Sequence, residues 1–117
     1  MAAERMASEF SVEVTEEPGQ ARVSPRGEID LATAEPLQRT VLELLDRGVE
    51  QVLVDLREVT FIDSTGIRAL VVGHARAQEL GLRMSLVHAT GQVQRTLMLT
   101  GVLERLSGSE PDASGGG

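Results

Sequence analysis

Between Phe61 and Ile67 the chain reads Phe-Ile-Asp-Ser-Thr-Gly-Ile, setting one carboxylate and two hydroxyls beside a glycine in apolar surroundings. Upstream, Gln51-Val-Leu-Val-Asp-Leu56 is a β-branched apolar run suited to a buried strand. Downstream, Ile67, Leu70, Val71, His74 and Ala75 recur at the spacing of one helical face. Ser64 therefore falls near a helix N-terminus, where unpaired backbone N–H groups and the macrodipole favour an anion by roughly 0.3–1 kcal/mol. A hydroxyl in that position is a natural phosphate acceptor, and a phosphate there leaves the helix intact.

Asp63 and Ser64 also suit plain helix capping, worth about 1 kcal/mol. Thr65 is the poorer acceptor because it is already helical. Spacing weighs against two hydrolytic readings, which stay as less favoured alternatives. An aspartic-type hydrolase formed by a dimer would use an Asp-Ser/Thr-Gly loop, but here Thr65 separates Asp63-Ser64 from Gly66. A serine hydrolase lacks its Gly-x-Ser-x-Gly elbow around Ser64. His74 lies on or beside an apolar stripe and His88 at a strand end, places where a histidine is more often packed than catalytic.

Composition removes other chemistries. The chain has 117 residues, 41% of them apolar, enough for one domain with one core. It contains no cysteine, which excludes disulfides, thiolate catalysis and thiolate zinc sites. Lysine is absent and all 11 basic residues are arginine, so Schiff-base chemistry and the lysine of a phosphate-binding loop are excluded. A net charge of −7 argues against nucleic acid as a partner. Apolar runs are short and no secretory signal is visible, so neither membrane insertion nor export is expected, and the cytoplasm is the expected location.

The elements that must hold the motif alternate along the chain. Phe10, Val12 and Val14 alternate with polar residues as a half-buried strand, and Glu16-Glu-Pro-Gly19 turns into a second strand near Ala21–Ser24. Pro25 should end that strand or occupy a place needing no donor. Thr33 is the expected N-cap of a helix with Leu37, Val41, Leu44 and Leu45 on its core face, stopped by Gly48. A strand at Val52–Leu56, a helix from Ser64 to Leu80, a strand at Met84–His88, a short helix at Gly91–Thr100 and a last strand at Val102–Leu106 follow. This β-β-α-β-α-β-α-β order implies an α/β domain over residues 10–106 with a mixed sheet and parallel later strands. Residues 1–9 are expected to be flexible, and the Gly/Ser-rich segment 107–117 disordered.

Gly27-Glu-Ile-Asp30, the helix opening Thr33-Ala-Glu35 and Phe61-Ile-Asp-Ser-Thr-Gly66, at this spacing, resemble the STAS domain of bacterial anti-sigma factor antagonists. The resemblance covers roughly Phe10 to Leu106. It implies a STAS-like mixed sheet of about five strands with helices packed on it, and a non-enzymatic switch without cofactor or metal. In such a switch the unmodified protein binds an anti-sigma factor that is also a serine kinase and so releases a sigma factor. Phosphorylation ends the binding and a serine phosphatase restores it. Position by position, Ser64 is the implied phosphoacceptor, and Gly27, Glu28, Ile29, Asp30, Asp63, Ser64, Thr65 and Gly66 the implied partner-binding residues. Gly66 is expected to let another backbone approach closely. The free protein is expected to be a monomer. Similar domains also serve as adaptors in stress-signalling assemblies, in lipid-transport ABC complexes and in anion transporters. Relatives often carry a further C-terminal helix where this chain turns Gly/Ser-rich, which leaves part of one sheet face expected to be less covered.

Overall fold

The computed structural model describes residues 10–106, so the expected flexible N-terminus and disordered tail lie outside the described residues. Two strands, β1 (Ser11–Glu17) and β2 (Gln20–Ile29), form an antiparallel hairpin over Pro18-Gly19, with Gly19 at φ 78°. The helix α1 (Ala34–Asp46), strand β3 (Gln51–Asp55), strand β4 (Val59–Ile62) and helix α2 (Ser64–Leu80) follow. Strand β5 (Arg83–Val87) and helices α3 (Gly91–Leu99) and α4 (Val102–Leu106) complete the fold. The result is an α/β domain with a mixed five-stranded sheet.

The sheet runs β1-β2-β3-β5, with β2, β3 and β5 mutually parallel. β2 is longer than its first parallel neighbour and serves two. Gln20–Val23 pair with β3, whereas Gly27–Ile29 pair with β4 after a register shift between Gly27 and Glu28. Pro25 thus does not end the strand near Ser24. It sits in the gap between those two parallel pairings, where the lost N–H is not missed on that edge.

Two further expectations are corrected. β4 was not anticipated: the sequence reading placed no element between Leu56 and Ser64, where the short segment Val59–Ile62 forms a strand of its own. Val102–Leu106 is a helix rather than a strand. Val102 and Leu106 are both buried one helical turn apart, a spacing that five residues are too few to reveal.

Helix α1 buries the anticipated Leu37, Val41, Leu44 and Leu45. Helix α2 is rotated from expectation. It buries Gly66, Ala69, Leu70, Gly73 and Ala77, leaves Ile67, Val71 and His74 half-buried and exposes Ala75. The small residues set that rotation. A Cβ on Gly73 would stand 3.0 Å from both Met84 Sδ and Val41 Cγ1, so the helix lies close against α1 and β5 along its glycine and alanine stripe. Gly81, at φ 72°, ends α2 as a left-handed cap.

Candidate functional site

The site is built where the C-terminal ends of β2 and β4 lie side by side. Ile29 pairs with Ile62, and both side chains are buried. One residue further on, the Asp63 N–H donates to the Ile29 carbonyl at 3.2 Å, joining the segment before α1 to the segment before α2. Gly66 completes this junction from inside. A Cβ there would stand 2.7 Å from Ile29 Cγ2, 2.7 Å from Ile62 Cγ1 and 3.1 Å from the Ile29 carbonyl oxygen. The close backbone that Gly66 admits therefore belongs to this same chain, and Gly66 and Ile29 support the surface from beneath instead of forming it.

Asp63 is the N-cap of α2, in extended conformation. Its Oδ1 accepts from the Thr65 N–H at 3.0 Å, the Gly66 N–H at 3.2 Å and the Thr65 hydroxyl. The Thr65 hydroxyl bond, foremost, and the two backbone N–H groups hold the Asp63 carboxyl below the usual carboxylate range, against an opposing contribution from desolvation. Thr65 has committed its proton to Asp63. Ser64, the first residue of the helix, is exposed, and its hydroxyl makes no hydrogen bond to another described residue. The division between cap and free hydroxyl that the sequence left open is thereby made: Asp63 caps and Ser64 projects.

On the other side of the junction, residues 30–33 form a closed turn. Asp30 Oδ1 accepts from the N–H groups of Ala32 and Thr33 at 3.0 and 3.2 Å. The Thr33 hydroxyl accepts from the Asp30 N–H at 2.8 Å and donates to the Glu28 carbonyl at 2.7 Å. Thr33 is the N-cap residue of α1 by position, but its side chain caps nothing there and instead braces the turn. At the turn's tip Leu31 is 80% exposed. The sequence reading omitted it because a lone leucine in a turn carries no pattern, although an apolar residue between Asp30 and the helix is the signal that was present. Gly27 stands at φ 105° and donates its N–H to the Glu58 carbonyl at 3.1 Å, where β2 changes partner. A groove of about 510 Å³ runs beside the turn between Phe10, Glu28, Thr33 and Thr60.

A second polar cluster lies apart from Ser64. Buried Asp55 accepts from Arg22 at 2.9 Å and from the Arg57 N–H at 3.0 Å, with His88 Nδ1 at 3.1 Å. Burial acts to raise the Asp55 carboxyl, and the Arg57 and His88 bonds outweigh it and leave the group lowered. His88 adopts a left-handed φ of 62° at the end of β5. His74 is half-buried; desolvation and then nearby Arg105 hold its imidazole below the ordinary histidine value. Neither histidine was distinguished further by sequence.

The chain matches the STAS domain family model over residues 11–113. Among curated proteins no match is found. Among solved structures it is similar to an anti-sigma factor antagonist from Mycobacterium paratuberculosis, with 27% identity, a TM-score of 0.73, and coverage of 88% of this chain and 86% of that one. The phosphorylated Bacillus cell-fate determinant SpoIIAA shares the fold at 16% identity and a TM-score of 0.66, over 91% of this chain and 92% of that one. So does a sulfate transporter family protein from Wolinella succinogenes, at 20% identity and a TM-score of 0.68, over 80% and 75%. With the family model covering all but the ends of the chain, this protein belongs to the STAS domain family.

Proposed function

We propose that this chain is an anti-sigma factor antagonist that works by partner switching. Unmodified, it binds an anti-sigma factor with serine kinase activity and so frees a sigma factor. Phosphorylation of Ser64 ends the complex, and a serine phosphatase resets it. The protein itself turns over no substrate. The reading is supported by the 27% identical mycobacterial antagonist of the same fold. The observation that carries it is the exposed Ser64 hydroxyl, without a hydrogen bond among the described residues, directly after an ionised cap.

The cap explains how a phosphate would act. Asp63 already occupies the Thr65 and Gly66 N–H groups, the donors that an anion at this helix end would otherwise claim. A phosphoryl group on Ser64 therefore projects outward beside the Asp63 carboxylate, adding about −1.5 to −2 charge to the surface. A partner closing over the site must then bury or mispair that charge. Such a loss costs roughly 2–5 kcal/mol, or about thirtyfold to several thousandfold in affinity. The proposed partner surface is formed by the exposed Glu28, Leu31 and Ser64 and the half-buried Asp30, with Gly27, Ile29, Asp63, Thr65 and Gly66 fixing its shape.

The acceptor assignment is tested by incubating wild type and Ser64→Ala with source-cell extract and ATP, followed by intact mass and peptide mapping. Wild type should gain one phosphoryl group on Ser64 and the variant none. Equal modification of Ser64→Ala would overturn it.

A further inference from the structure

Among the described residues strand β4 has one strand partner, β2. A lone strand edge leaves backbone donors and acceptors to be satisfied by other means. At Ile62, the residue immediately before the Asp63 cap, that means is a side chain. Gln92 Oε1 accepts from the Ile62 N–H at 3.2 Å, and Gln92 Nε2 donates to the Ile62 carbonyl at 3.1 Å. The second Nε2 proton goes to Thr96 Oγ1 at 2.9 Å, one turn along α3. The carboxamide thus behaves like a residue of a neighbouring strand, offering one donor and one acceptor to the same backbone unit. Its orientation is fixed, because reversing the amide would set its NH₂ against the Ile62 N–H and its oxygen against the Ile62 carbonyl.

We infer that Gln92 is the positioning residue of the acceptor loop, holding Ile62, and through it Asp63 and Ser64, in the geometry that a modifying enzyme and a binding partner must recognise. The inference rests on Ser64 being the acceptor in so far as it concerns modification, whereas the latch itself does not. Ile62 is secured from both sides: by its place in the β2 pairing and by Gln92. Without Gln92 the loop keeps the Asp63 N–H bond to Ile29 and the packing of Gly66 on Ile29 and Ile62, but the Ile62 backbone unit loses both of its Gln92 bonds, and the hydroxyl two residues on is held less firmly in direction. Misplacing a reacting group in this way lowers the rate of the step in which it takes part.

The test uses the full chain, amide exchange by NMR, and two variants. Gln92→Met keeps the length of the side chain but removes both bonds. The Ile62 amide should exchange roughly five- to hundredfold faster, the ratio expected for one lost partly buried hydrogen bond, while Leu70 and Leu86 amides in the core keep their rates. Gln92→Glu converts the latch into a titrating one. A neutral carboxyl can accept from the Ile62 N–H and donate to its carbonyl, whereas a carboxylate can only accept. The ionised form sets an oxygen against the Ile62 carbonyl, so ionisation loosens the latch. Protection of Ile62 should be near wild type at acid pH, where the carboxyl is neutral, and fall as it ionises and its oxygen repels the Ile62 carbonyl. A purely packing role would give no such pH dependence.

Source-cell extract with ATP then supplies the functional arm, with Ser64 phosphorylation in Gln92→Met expected to slow about tenfold. Unchanged Ile62 exchange in Gln92→Met overturns the latch. Faster exchange with an unchanged phosphorylation rate overturns the positioning role. If wild type is not phosphorylated at all, the Ser64 reading fails, while the exchange data still decide whether Gln92 holds the loop.

Discussion

The Asp63 N–H donates to the Ile29 carbonyl at 3.2 Å, and this bond joins the two segments, more than 30 residues apart, that form the candidate site. It gives the turn carrying Leu31 and the helix end carrying Ser64 a fixed relation. In the proposed complex a partner would meet both as one surface, and a change at either would be felt in binding at the other.

The junction tolerates no added bulk at Gly66. Gly66→Ala places a methyl group 2.7 Å from Ile29 Cγ2 and Ile62 Cγ1. Both neighbours are fully buried β-branched side chains, and overpacking of this kind costs about 1–3 kcal/mol. Gly73→Ala meets Met84 Sδ and Val41 Cγ1 at 3.0 Å, where the flexible methionine can yield and the helix gains up to about 1 kcal/mol in propensity. Urea unfolding should show a clear loss for Gly66→Ala and a change within about 1 kcal/mol for Gly73→Ala.

Asp63 and Ser64 should separate stability from binding. Asp63→Ala removes an N-cap and should cost about 0.5–2 kcal/mol. Ser64→Ala touches an exposed hydroxyl that makes no hydrogen bond to another described residue, and should shift stability by no more than about 0.5 kcal/mol. Thermal melts of the two variants check the contrast.

The same carboxylate gives a pH dependence of defined sign. Its pKa is lowered on folding, so the stability it contributes is complete above the unfolded value near 3.9 and is lost as pH falls through the folded value. Asp63→Asn keeps a capping oxygen but cannot titrate. Melts from pH 7 down to acid should show wild type losing its advantage over Asp63→Asn below about pH 4.

Leu31 should act in binding alone. It is 80% exposed at the tip of a turn braced by Asp30 and Thr33, so Leu31→Ala should leave the melting temperature nearly unchanged. A truncated apolar anchor at an interface commonly costs more than 1 kcal/mol, or about fivefold or more in affinity. Capture of the proposed anti-sigma partner by Leu31→Ala, measured against wild type, checks this.

Much of the fold was legible because its signals are local. The Leu37, Val41, Leu44 and Leu45 stripe gave α1, the β-branched run gave β3, and Gly81 marked the end of α2. What was missed depends on tertiary contact. Helix α2 turns its small residues inward because Val41 and Met84 approach them, and a hydrophobic stripe cannot announce that. Strand β4 and the continuation of β2 past Pro25 depend on a change of pairing partner, which leaves no trace in either strand alone. In the site, the motif around Asp63 and Ser64 was visible, but the assignment of cap and free hydroxyl was not. Gln92, some 30 residues away, reaches Ile62 only after α3 has packed on β4.

One exposed serine, Ser64, is proposed to decide whether the partner is held. The most direct test is affinity capture from the cytosol of the source cell with three baits, wild type, Ser64→Ala and Ser64→Glu, and identification of the retained proteins by mass spectrometry. The account predicts a soluble kinase retained by wild type and Ser64→Ala and lost with Ser64→Glu. Retention of one and the same membrane ATPase or large assembly by all three baits would contradict it.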